Sequence, residues 1–386
     1  MNTILFDGTS MQSEKHVKFH GGGEYAKFIL KAALDAGYTF DVALNPDMFL
    51  DDTTLNIIRK HKLNTMYVHS KEELYGVIDA GGYRVFYSAL PYNYFDYSAH
   101  ADFIGVLHGL RPLEIVWDRY RHKYSSNRLK ALVIWLISHS GWIKGRFKLQ
   151  KMQEFSKLLG IPRSTFITVS NHTKYALLNF FSAINTERIK VFYSPFETLS
   201  CTPHCGKEAD KYFLLVSGNR FEKNTYRAMK AFDKLFSDGR LAGFEVVVTG
   251  AENLPFRGEI KNKHRFRMLP YVDTERLARL YAGAFCFFYP SLNEGFGYPP
   301  LLAMSADTPV IASSATSIPE VCGNAAMYFS PENIDDMRNR ILQISADVEK
   351  REELIKAGRE RVAFLQQKQQ RELSEYLALV FGQLGC

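Results

Sequence analysis

The stretch YFLLVSGNRFEKNTYRAMKAFDKLF, residues 212–236, contains the patterns that decide the fold class. YFLLVS (212–217) is a continuous apolar run of strand length, and TYRAMKAFDKLF (225–236) has apolar residues at helical spacing. A continuously apolar strand that leads into an amphipathic helix is typical of a parallel sheet with helices on both faces. The stretch therefore predicts one β–α unit of an α/β domain, with a polar loop between strand and helix.

Short apolar runs alternate with helical patterns along the rest of the chain. Besides 212–217, buried strands are predicted at 4–6, 40–44, 65–69, 84–88, 103–108, 166–170, 190–194, 244–249, 285–290, 309–313 and 326–329. Helices are predicted between them at 24–36, 173–184, 225–236 and 274–283. Two such sets in one chain predict an α/β protein with two doubly wound, Rossmann-like domains.

The polar segment 194–210, rich in turn-forming residues and without periodicity, predicts the boundary between the two domains. We therefore expect an N-terminal domain over residues 1–195 and a C-terminal domain over 196–365. The chain from about residue 333 onward has only helical patterns. Residues 366–386 are expected to form a C-terminal helix that packs back across the domains.

Composition favours a globular protein of a reducing compartment. Of the 386 residues 46% are apolar, which is enough for two cores. The N-terminus carries Asp7 and no long apolar stretch, unlike a signal peptide, and the longest apolar run, 131–137, is too short to cross a membrane. Five cysteines, an odd number, argue against a disulfide framework. We therefore expect a cytoplasmic location.

Positive charge is concentrated in one segment, 119–153, which has nine Lys and Arg and neither Asp nor Glu. Of the 48 Lys and Arg in the chain, 39 lie elsewhere, against 41 acidic residues, so this segment supplies the whole excess. It also holds two of the three tryptophans, Trp135 and Trp142. Two interpretations stay open: a solvated basic face of a helix pair, or a surface for anionic lipid or a phosphorylated acceptor. Nucleic acid is not favoured, because no recognition motif accompanies the charge.

Three loops at predicted strand ends suit anion or sugar binding, because ligands of open parallel sheets bind at the carboxyl ends of strands. SGNRFEKN (217–224) places Arg220 and Lys223 beside a helix start, where two cations suit a diphosphate. HGGGEY (20–25) either lets backbone N–H groups approach an anion or forms a flexible turn. His108, at the end of a strand, is either a binding group or a satisfied polar side chain.

A metal site is not expected from the sequence. CTPHC (201–205) offers at most three nearby ligands and has no second cluster to complete a site. The sequence also has no P-loop, no HExxH motif and no Ser-His-Asp set with supporting context.

One long region resembles the signature of retaining glycosyltransferases of family 4 (glycosyl transferases group 1): YVDTERLARLYAGAFCFFYPSLNEGFGYPPLLAMSADTPVIASSATSIPEVCGNAAMYF, residues 271–329. The resemblance rests on Leu-Tyr before a strand, Pro-Ser after it, Glu-Gly-Phe-Gly, Ala-Met, Thr-Pro-Val and Ile-Pro-Glu-Val-x-Gly. SGNRFEKN, HGLRPLE and TVSNHTKYALL resemble further loops of that family. The resemblance implies the GT-B architecture, in which an acceptor-side N-terminal domain and a nucleotide-sugar C-terminal domain face a cleft.

The resemblance also implies roles for individual residues. Arg220 and Lys223 would bind the donor diphosphate, and Glu294 would bind the hydroxyls of the transferred sugar. His108 would approach that sugar, and these four are the expected catalytic residues. The expected donor-binding residues are Gly21, Gly22 and Gly23 at the phosphates, Gly295, Phe296 and Gly297 near the sugar and phosphates, and Tyr271 and Val272 at the base.

One donor-binding position, Leu302, departs from the family pattern. The family has a second Glu eight residues after the first, which accepts hydrogen bonds from the ribose hydroxyls, and Leu302 stands there. Leu cannot accept such bonds, which are worth roughly 1.5–3 kcal/mol each when made to a charged group. Three consequences stay open: another group holds the ribose, the donor binds more weakly, or activity is lost.

The sequence and the resemblance together predict a retaining, metal-independent glycosyltransferase of the hexosyltransferase type, without a cofactor, in surface polysaccharide biosynthesis. Its expected partners are a nucleotide-sugar donor, a glycan or polyprenyl-linked acceptor, and an anionic membrane surface met by 119–153 at the cytoplasmic face. The alternative, motivated by Leu302, is a catalytically weak or inactive partner subunit with the transferase fold. A sugar-nucleotide epimerase or a phosphorylase is a third possibility, and no local pattern argues for the phosphorylase's pyridoxal cofactor.

Overall fold

The computed structural model of the protein describes residues 3–13, 21–115, 117–199 and 210–382. The chain forms two compact units. Unit 1 comprises Met1–Leu110, Gln150–Pro195 and Gln367–Cys386, and unit 2 comprises Arg111–Leu149 and Phe196–Gln366. The CTPHC motif, 201–205, lies outside the described residues, as does most of the polar segment before β8.

Strands and helices alternate through both units. The strands are β1 (Ile4–Asp7), β2 (Asp41–Leu44), β3 (Thr65–Tyr67), β4 (Val85–Ser88), β5 (Asp102–Leu107), β6 (Ser164–Thr168), β7 (Ile189–Val191), β8 (Asp210–Leu215), β9 (Glu245–Val248), β10 (Phe266–Met268), β11 (Ala284–Tyr289), β12 (Val310–Ser313) and β13 (Ala326–Phe329). The helices are α1 (Gly21–Asp35), α2 (Asp52–Lys60), α3 (Lys71–Ala80), α4 (Arg111–Glu114), α5 (Arg128–His139), α6 (Gly141–Leu159), α7 (Asn171–Phe180), α8 (Thr225–Ser237), α9 (Thr274–Gly283), α10 (Tyr298–Ser305), α11 (Ile318–Cys322), α12 (Ile334–Ala346) and α13 (Val348–Phe381).

Unit 1 is built on a parallel sheet in the order β3-β2-β1-β4-β5-β6-β7. Every residue of its strands β1, β2 and β4 is buried, as expected for a parallel sheet that is covered on both faces. The strand order reverses direction between β1 and β4, which makes the carboxyl ends of these strands the switch point of this sheet.

Unit 2 is also built on a parallel sheet, in the order β10-β9-β8-β11-β12-β13. Its core joins the strands to α8 and α12, with Phe213, Phe232 and Phe288 fully buried among them. The order reverses between β8 and β11, so the loops that follow these two strands meet at one edge.

The predicted α/β class with two doubly wound domains is confirmed. The sequence analysis missed β10, a three-residue strand in which Phe266 is buried while Arg267 is exposed. Such a short, mixed run does not stand out from a loop by its pattern.

The division into units differs from the expected domains in one segment, 111–149, which packs with unit 2 rather than with the N-terminal residues. A buried ion pair ties it there: Arg227 Nη2 donates to Asp118 Oδ2 at 2.7 Å, and both side chains are largely buried. The OH group of Tyr124 accepts a hydrogen bond from the Tyr226 backbone N–H at 2.8 Å. These contacts lie far apart in sequence, so local patterns could not predict them.

The C-terminal helix is longer than expected, because α13 begins at Val348 rather than near residue 366. Its last part belongs to unit 1, where Tyr376 OH lies 2.6 Å from Tyr87 OH and Phe381 packs on Phe40. Among the described residues, no helix combines the length and the apolar character needed to cross a membrane.

Candidate active site

The candidate site of unit 2 lies where β8 and β11 end. These strands are neighbours and parallel, so the loop after β8 (216–224) and the loop after β11 (290–297) emerge side by side. This edge is the place where doubly wound sheets bind ligands. Three of the four expected catalytic residues, Arg220, Lys223 and Glu294, lie in these two loops.

The loop after β8 is held in a tight conformation before α8 begins. Gly218 has no room for a side chain, since a Cβ there would lie 2.6 Å from Val248 Cγ1. Asn224 adopts a left-handed conformation with φ of 57°, and its Nδ2 donates to the carbonyls of Pro290 (3.0 Å) and Pro331 (2.7 Å). One side chain therefore fixes the end of this loop to the loop after β11.

Lys223 and Glu294 form a buried ion pair across the two loops. Lys223 Nζ donates to Glu294 Oε1 at 2.6 Å and to Tyr289 OH at 3.1 Å. Ser291 Oγ also donates to Glu294 Oε1. The side chains are only 9% and 12% exposed, so the pair is largely removed from solvent. The sequence analysis gave these residues separate roles and did not predict their contact.

The charge state of Glu294 follows from these partners. Burial alone would raise the pKa of its carboxyl, but the positive charge of Lys223 and the hydrogen bonds from Lys223 and Ser291 outweigh it. The pKa of Glu294 is therefore held below its ordinary value, and the residue is a carboxylate at neutral pH. Burial and the neighbouring Glu294 raise the pKa of Tyr289 well above its ordinary value, so its OH stays protonated.

Arg220 is presented differently from Lys223. Its Nε donates to Glu222 Oε1 at 2.8 Å, and Arg111 Nη1 donates to the same oxygen at 2.9 Å. Glu222 is largely buried, whereas the two guanidinium groups are 45% and 39% exposed. Burial alone would raise the pKa of Glu222, but the positive charges of Arg111 and Arg220 outweigh burial. The pKa of Glu222 is therefore held below its ordinary value. Glu222 thus aligns two half-exposed guanidinium groups that can still reach an anion.

The loop after β11 turns into α10 at Gly297, whose φ of 112° is strained for any residue with a side chain. Ser317 Oγ donates to the carbonyls of Glu294 (2.9 Å) and Phe296 (2.8 Å). The Glu294 backbone N–H donates to Thr316 Oγ1 at 2.9 Å. The segment before α11 therefore fixes the backbone of the Glu-Gly-Phe-Gly loop.

The expected base-binding residues lie in the loop between β10 and α9. The ring of Tyr271 is 63% exposed, and its OH donates to Asn219 Oδ1 at 2.9 Å. A Cβ at Gly250 would lie 3.0 Å from Tyr271 Cζ, so the ring rests close against that backbone. Val272 is half-buried beside it. The structure thus presents an oriented aromatic face next to the loop that carries Arg220.

Leu302 lies in α10 and is half-buried. Its side chain has no polar atom and makes no hydrogen bond, and its backbone carbonyl accepts a hydrogen bond from Ser305 Oγ at 2.9 Å. The helix around it is strongly apolar, with Leu301, Ala303 and Met304 buried.

Two groups of expected site residues lie in unit 1. Gly21, Gly22 and Gly23 form the first turn of α1 rather than the loop before a helix at 24. The side chain of Leu90 lies close to Gly22, where an added Cβ would be 2.4 Å from Leu90 Cδ2. The N–H groups of a first helical turn have no partner within the helix itself. A contact between these N–H groups and the phosphates of a donor remains a prediction.

His108 is held by its neighbours in unit 1. Its Nε2 lies 2.9 Å from the Ala89 carbonyl oxygen, and the Tyr25 ring meets the imidazole edge-to-face at 4.8 Å between centroids. A carbonyl oxygen only accepts, so Nε2 carries a proton. The backbone N–H of His108 donates to Tyr92 OH at 2.8 Å. The imidazole is therefore oriented, and its role toward a sugar remains a prediction.

A cavity of about 520 Å³ adjoins the Glu294 loop within unit 2. Asn293 and Thr316 line one side, and Trp117, Lys144 and Lys148 line another. Asn293 Nδ2 donates to Glu114 Oε2 at 2.7 Å at the edge of this space. Its mixture of an indole, carboxylates, an amide and ammonium groups suits a hydroxyl-rich ligand.

Several supporting residues were missed in the sequence. Glu222 stands between Arg220 and Lys223, and the sequence analysis gave it no role. Tyr289 and Ser291 looked like a strand end and a turn. The charge pattern Arg-x-Glu-Lys was the available signal for Glu222. In the described part of the chain, no group of three or more His, Cys, Asp or Glu side chains converges as a metal-ligand set.

Comparison with known proteins agrees with this architecture. The family Glycosyl transferases group 1 matches residues 204–361. O-antigen chain mannosyltransferase B of Escherichia coli is 48% identical over 81 residues, 21% of each chain. O-antigen chain mannosyltransferase RfbU of Salmonella typhimurium is 30% identical over 182 residues, 46% of this chain and 50% of that protein. The chain thus matches half or less of the length of these relatives.

The fold extends over the whole chain. HepE of Anabaena, solved in complex with UDP-glucose, superposes with a TM-score of 0.64 at 14% identity, covering 98% of this chain and 100% of that one. The chain therefore has the GT-B fold, and its residues 204–361 carry the region that is similar to glycosyl transferases group 1.

Proposed function

We propose that this protein is a retaining glycosyltransferase that moves a sugar from a nucleotide-diphosphate sugar to a glycan or lipid-linked glycan. The observation that carries the proposal is the buried Lys223–Glu294 pair, 2.6 Å apart, at the switch point of the unit 2 sheet. The pair places the carboxylate of Glu294, which can accept hydrogen bonds from sugar hydroxyls, next to the ammonium group of Lys223, which can bind phosphate. The sugar and the phosphate of one donor are covalently joined, so they need binding groups that lie this close together.

The guanidinium of Arg220 is the best-presented cation for the donor diphosphate. It is half-exposed and aligned by the buried carboxylate of Glu222. Lys223 and the backbone amides of Gly295, Phe296 and Gly297 would complete the anion site. Fixed donors of this kind stabilise the negative charge that grows on the leaving diphosphate, a contribution that usually dominates transfer chemistry.

Glu294 serves best as an orienting group for the sugar. Its carboxylate is ionised and fixed by Lys223 and Ser291, so it can accept hydrogen bonds from sugar hydroxyls without reorganising. We propose retention by same-face attack, in which the bond from the anomeric carbon to the diphosphate oxygen breaks as the acceptor oxygen bonds to that carbon. The departing phosphate takes the acceptor proton.

Transfer is proposed to proceed without a metal ion. Arg220 and Lys223 would supply the positive charge that a divalent cation gives to other transferases. Measuring the transfer rate at increasing concentrations of a metal chelator tests metal independence, since an enzyme of the proposed kind keeps the same transfer rate.

Similarity to O-antigen mannosyltransferases supports surface polysaccharide biosynthesis and a mannose-type donor. The proposed acceptor is a growing glycan, whose end the cavity beside Asn293 and Trp117 could receive. A polyprenyl-linked acceptor would bring the protein to the cytoplasmic face of a membrane, where the basic segment 119–153 meets anionic lipid.

Donor hydrolysis and transfer test the proposal directly. The purified protein is incubated with GDP-mannose or UDP-glucose, and release of GDP or UDP is followed with and without a mannose-containing acceptor. We expect release of one nucleotide, stimulated by acceptor and reduced at least about a hundredfold by Arg220→Ala. Equal rates for wild type and Arg220→Ala would refute the diphosphate site.

A second candidate function is a partner subunit with the transferase fold and little or no turnover. Leu302 favours it, because the position that should accept bonds from a ribose has only an apolar side chain. Calorimetric titration with UDP, GDP, ADP and dTDP separates the two functions. Tight binding of one nucleotide supports the enzyme, and no binding by the folded protein supports the partner subunit.

A further inference from the structure

The outer face of α5 is apolar, although it is exposed to solvent. Leu129, Leu132, Val133 and Leu136 follow one another at the spacing i, i+3, i+4 and i+7, which places them on one helix face. In a soluble helix such a stripe faces the core, but here these side chains are between 51% and 77% exposed. The opposite face, which includes Ala131, Ile134 and Ser138, is the one packed against the protein.

The apolar surface continues into the start of α6. Trp135 is 42% exposed at the end of the stripe, and Trp142, just beyond the turn between the helices, is 72% exposed. Phe147 and Leu149 are exposed on α6 itself. The four side chains of the α5 stripe share one helix face, and an exposed apolar patch of this kind marks a docking surface rather than scattered surface residues.

Basic side chains border this surface, and no acidic residue lies between 119 and 153. Arg128, Lys130 and Lys144 make no ion pair within the described part of the chain, and the guanidinium of Arg146 lies over the Trp142 ring at 5.1 Å. Tryptophans at the rim of an apolar face with Lys and Arg beside them are typical of helices in a membrane interface.

We infer that α5 and the start of α6 insert in the plane of an anionic bilayer, with Leu129, Leu132, Val133 and Leu136 among the acyl chains. A helix of twelve residues is about 18 Å long, which is too short to span the hydrocarbon core and long enough to lie in the interface. The basic rim would meet lipid phosphates, and Trp135 and Trp142 would lie at headgroup depth.

This inference deepens the proposed function, on which it rests for its biological meaning, because it names the surface that brings a lipid-linked acceptor to the site. Lys144 and Lys148 of α6 line the cavity beside the Glu294 loop, whereas Trp142 of the same helix is exposed. One helix therefore has both an inserted face and a face toward the candidate site within unit 2.

Vesicle sedimentation and tryptophan emission test the insertion in the full-length protein. Phosphatidylcholine vesicles are compared with vesicles that also contain phosphatidylglycerol, at low salt and at about 1 M salt, where the Debye length is about 3 Å. We expect binding to the anionic vesicles, a blue shift of emission, and quenching by brominated acyl chains. Binding that persists in part at high salt indicates inserted apolar side chains rather than charge alone.

Matched variants separate insertion from charge and from folding. The double variant Leu132→Glu/Leu136→Glu should weaken vesicle binding at least about tenfold, since one buried leucine accounts for that much. Val348→Glu/Phe364→Glu changes two equally exposed apolar side chains elsewhere in unit 2 and should bind as wild type does. Trp142→Phe should remove part of the lipid-dependent shift, and Trp135→Phe/Trp142→Phe should remove most of it.

The results that would contradict the membrane insertion differ from those that would contradict the proposed function. Unchanged vesicle binding by Leu132→Glu/Leu136→Glu would overturn the inference, as would a wild-type dimer in light scattering that this variant abolishes. Vesicle binding does not require turnover, so a protein that binds vesicles but transfers no sugar contradicts only the proposed function. A protein that transfers sugar to a soluble acceptor but ignores vesicles contradicts only the insertion.

Discussion

Lys223 is both a candidate donor-binding cation and the charge that permits Glu294 to be buried. The two side chains are 2.6 Å apart and nearly removed from solvent. A buried ion pair gives little net stability compared with apolar residues, but removal of one partner leaves an uncompensated charge. The proposed donor binding and the stability of the fold are therefore linked at this position.

Lys223→Ala should lower the free energy of unfolding by about 3–5 kcal/mol, because Glu294 would remain buried without its cation. Lys223→Ala/Glu294→Ala should cost less than the sum of the single changes, and all three should lose transfer. Urea unfolding of the four proteins measures the coupling. Additive single changes would show that the pair has no energetic link.

Arg220→Ala provides the control for this cycle. Arg220 is half-exposed, and Glu222 keeps Arg111 as a partner when Arg220 is removed. Its stability cost should therefore be small, about 1 kcal/mol or less, while transfer falls as described above. A loss of stability as large as that of Lys223→Ala would contradict this distinction.

Leu302→Glu should tighten nucleotide binding if the ribose contact is absent. A carboxylate at this position of α10 can accept hydrogen bonds from ribose hydroxyls, and a gain of about tenfold corresponds to roughly one such bond. Calorimetry with the nucleotide that wild type binds best measures the change. Leu302→Gln is an uncharged control of similar size to Leu302→Glu. Weaker nucleotide binding by both variants would show that the residues around position 302 are adapted to an apolar side chain.

Acid should weaken unit 2 through Glu294 and Glu222. The folded pKa of each is held below the ordinary value of 4.5, so their contribution is fully present above that value and is lost as pH falls through the folded pKa. Urea midpoints should therefore decrease as the pH is lowered below about 4.5. Glu222→Gln should flatten this dependence, and an unchanged slope would argue against the role of Glu222.

At the scale of elements, the site depends on how α8 and α10 begin. Asn224 precedes α8 in a left-handed conformation, and its side chain joins the carbonyls of Pro290 and Pro331. Its Oδ1 also accepts from Arg227 Nη1 at 3.0 Å. A single residue thus sets the helix start, the position of Lys223 and the loop after β11.

Asn224→Ala should lower the free energy of unfolding by about 2–4 kcal/mol, from lost buried hydrogen bonds and from left-handed strain on a Cβ. Asn224→Gly loses the same hydrogen bonds but avoids the strain, so it should be about 1 kcal/mol more stable than the Ala variant. Urea unfolding measures both. Equal stability of the two variants would mean that the backbone has relaxed out of this conformation.

The elements themselves were predictable where the local pattern agreed with the tertiary environment. Strand β11 and residues 212–215 of β8 are buried on both faces, so their apolar runs are unbroken. The first turn of α1 was not predicted, because three glycines in sequence favour a loop by propensity. The proximity of Leu90 to Gly22 in the folded chain is likewise not visible in the sequence.

Part of the candidate site was predicted from the sequence. Arg220 and Lys223 were predicted to bind a diphosphate because they follow a predicted strand and precede a helix, and the role of Glu294 was predicted from the resemblance of its loop to the family signature. Their pairing was not, since Lys223 and Glu294 are 71 residues apart in sequence. The same limit applies to Glu222, whose partner Arg111 lies 111 residues away.

At the scale of the whole molecule, segment 111–149 is the part whose placement differs most from expectation. It belongs to unit 2, and it contributes Arg111 to the site and α5 to the surface. Its strongest link within that unit is the buried pair of Asp118 and Arg227, which is only 8% and 2% exposed. Arg227 also lies over the ring of Tyr120 at 4.6 Å.

Asp118→Asn should release this segment. The guanidinium of Arg227 would stay buried without a countercharge, which costs about 3–5 kcal/mol in free energy of unfolding. Hydrogen exchange of peptides from 117–139 should quicken more than exchange in β8 and β11, because the segment can detach while the sheet persists. Mass spectrometry of the exchanged protein resolves the two regions.

Asp238→Asn is the matched control, because Asp238 pairs with Arg338 at 3.0 Å on the surface of the same unit and is 43% exposed. Such a pair contributes about 0–1 kcal/mol, so this variant should exchange as wild type does. If Asp118→Asn detaches the segment, Arg111 leaves Glu222 and donor binding weakens along with vesicle binding through α5. Intact exchange protection at 117–139 in Asp118→Asn would instead show that the aromatic contacts of Tyr120 and Tyr124 hold the segment without the charge.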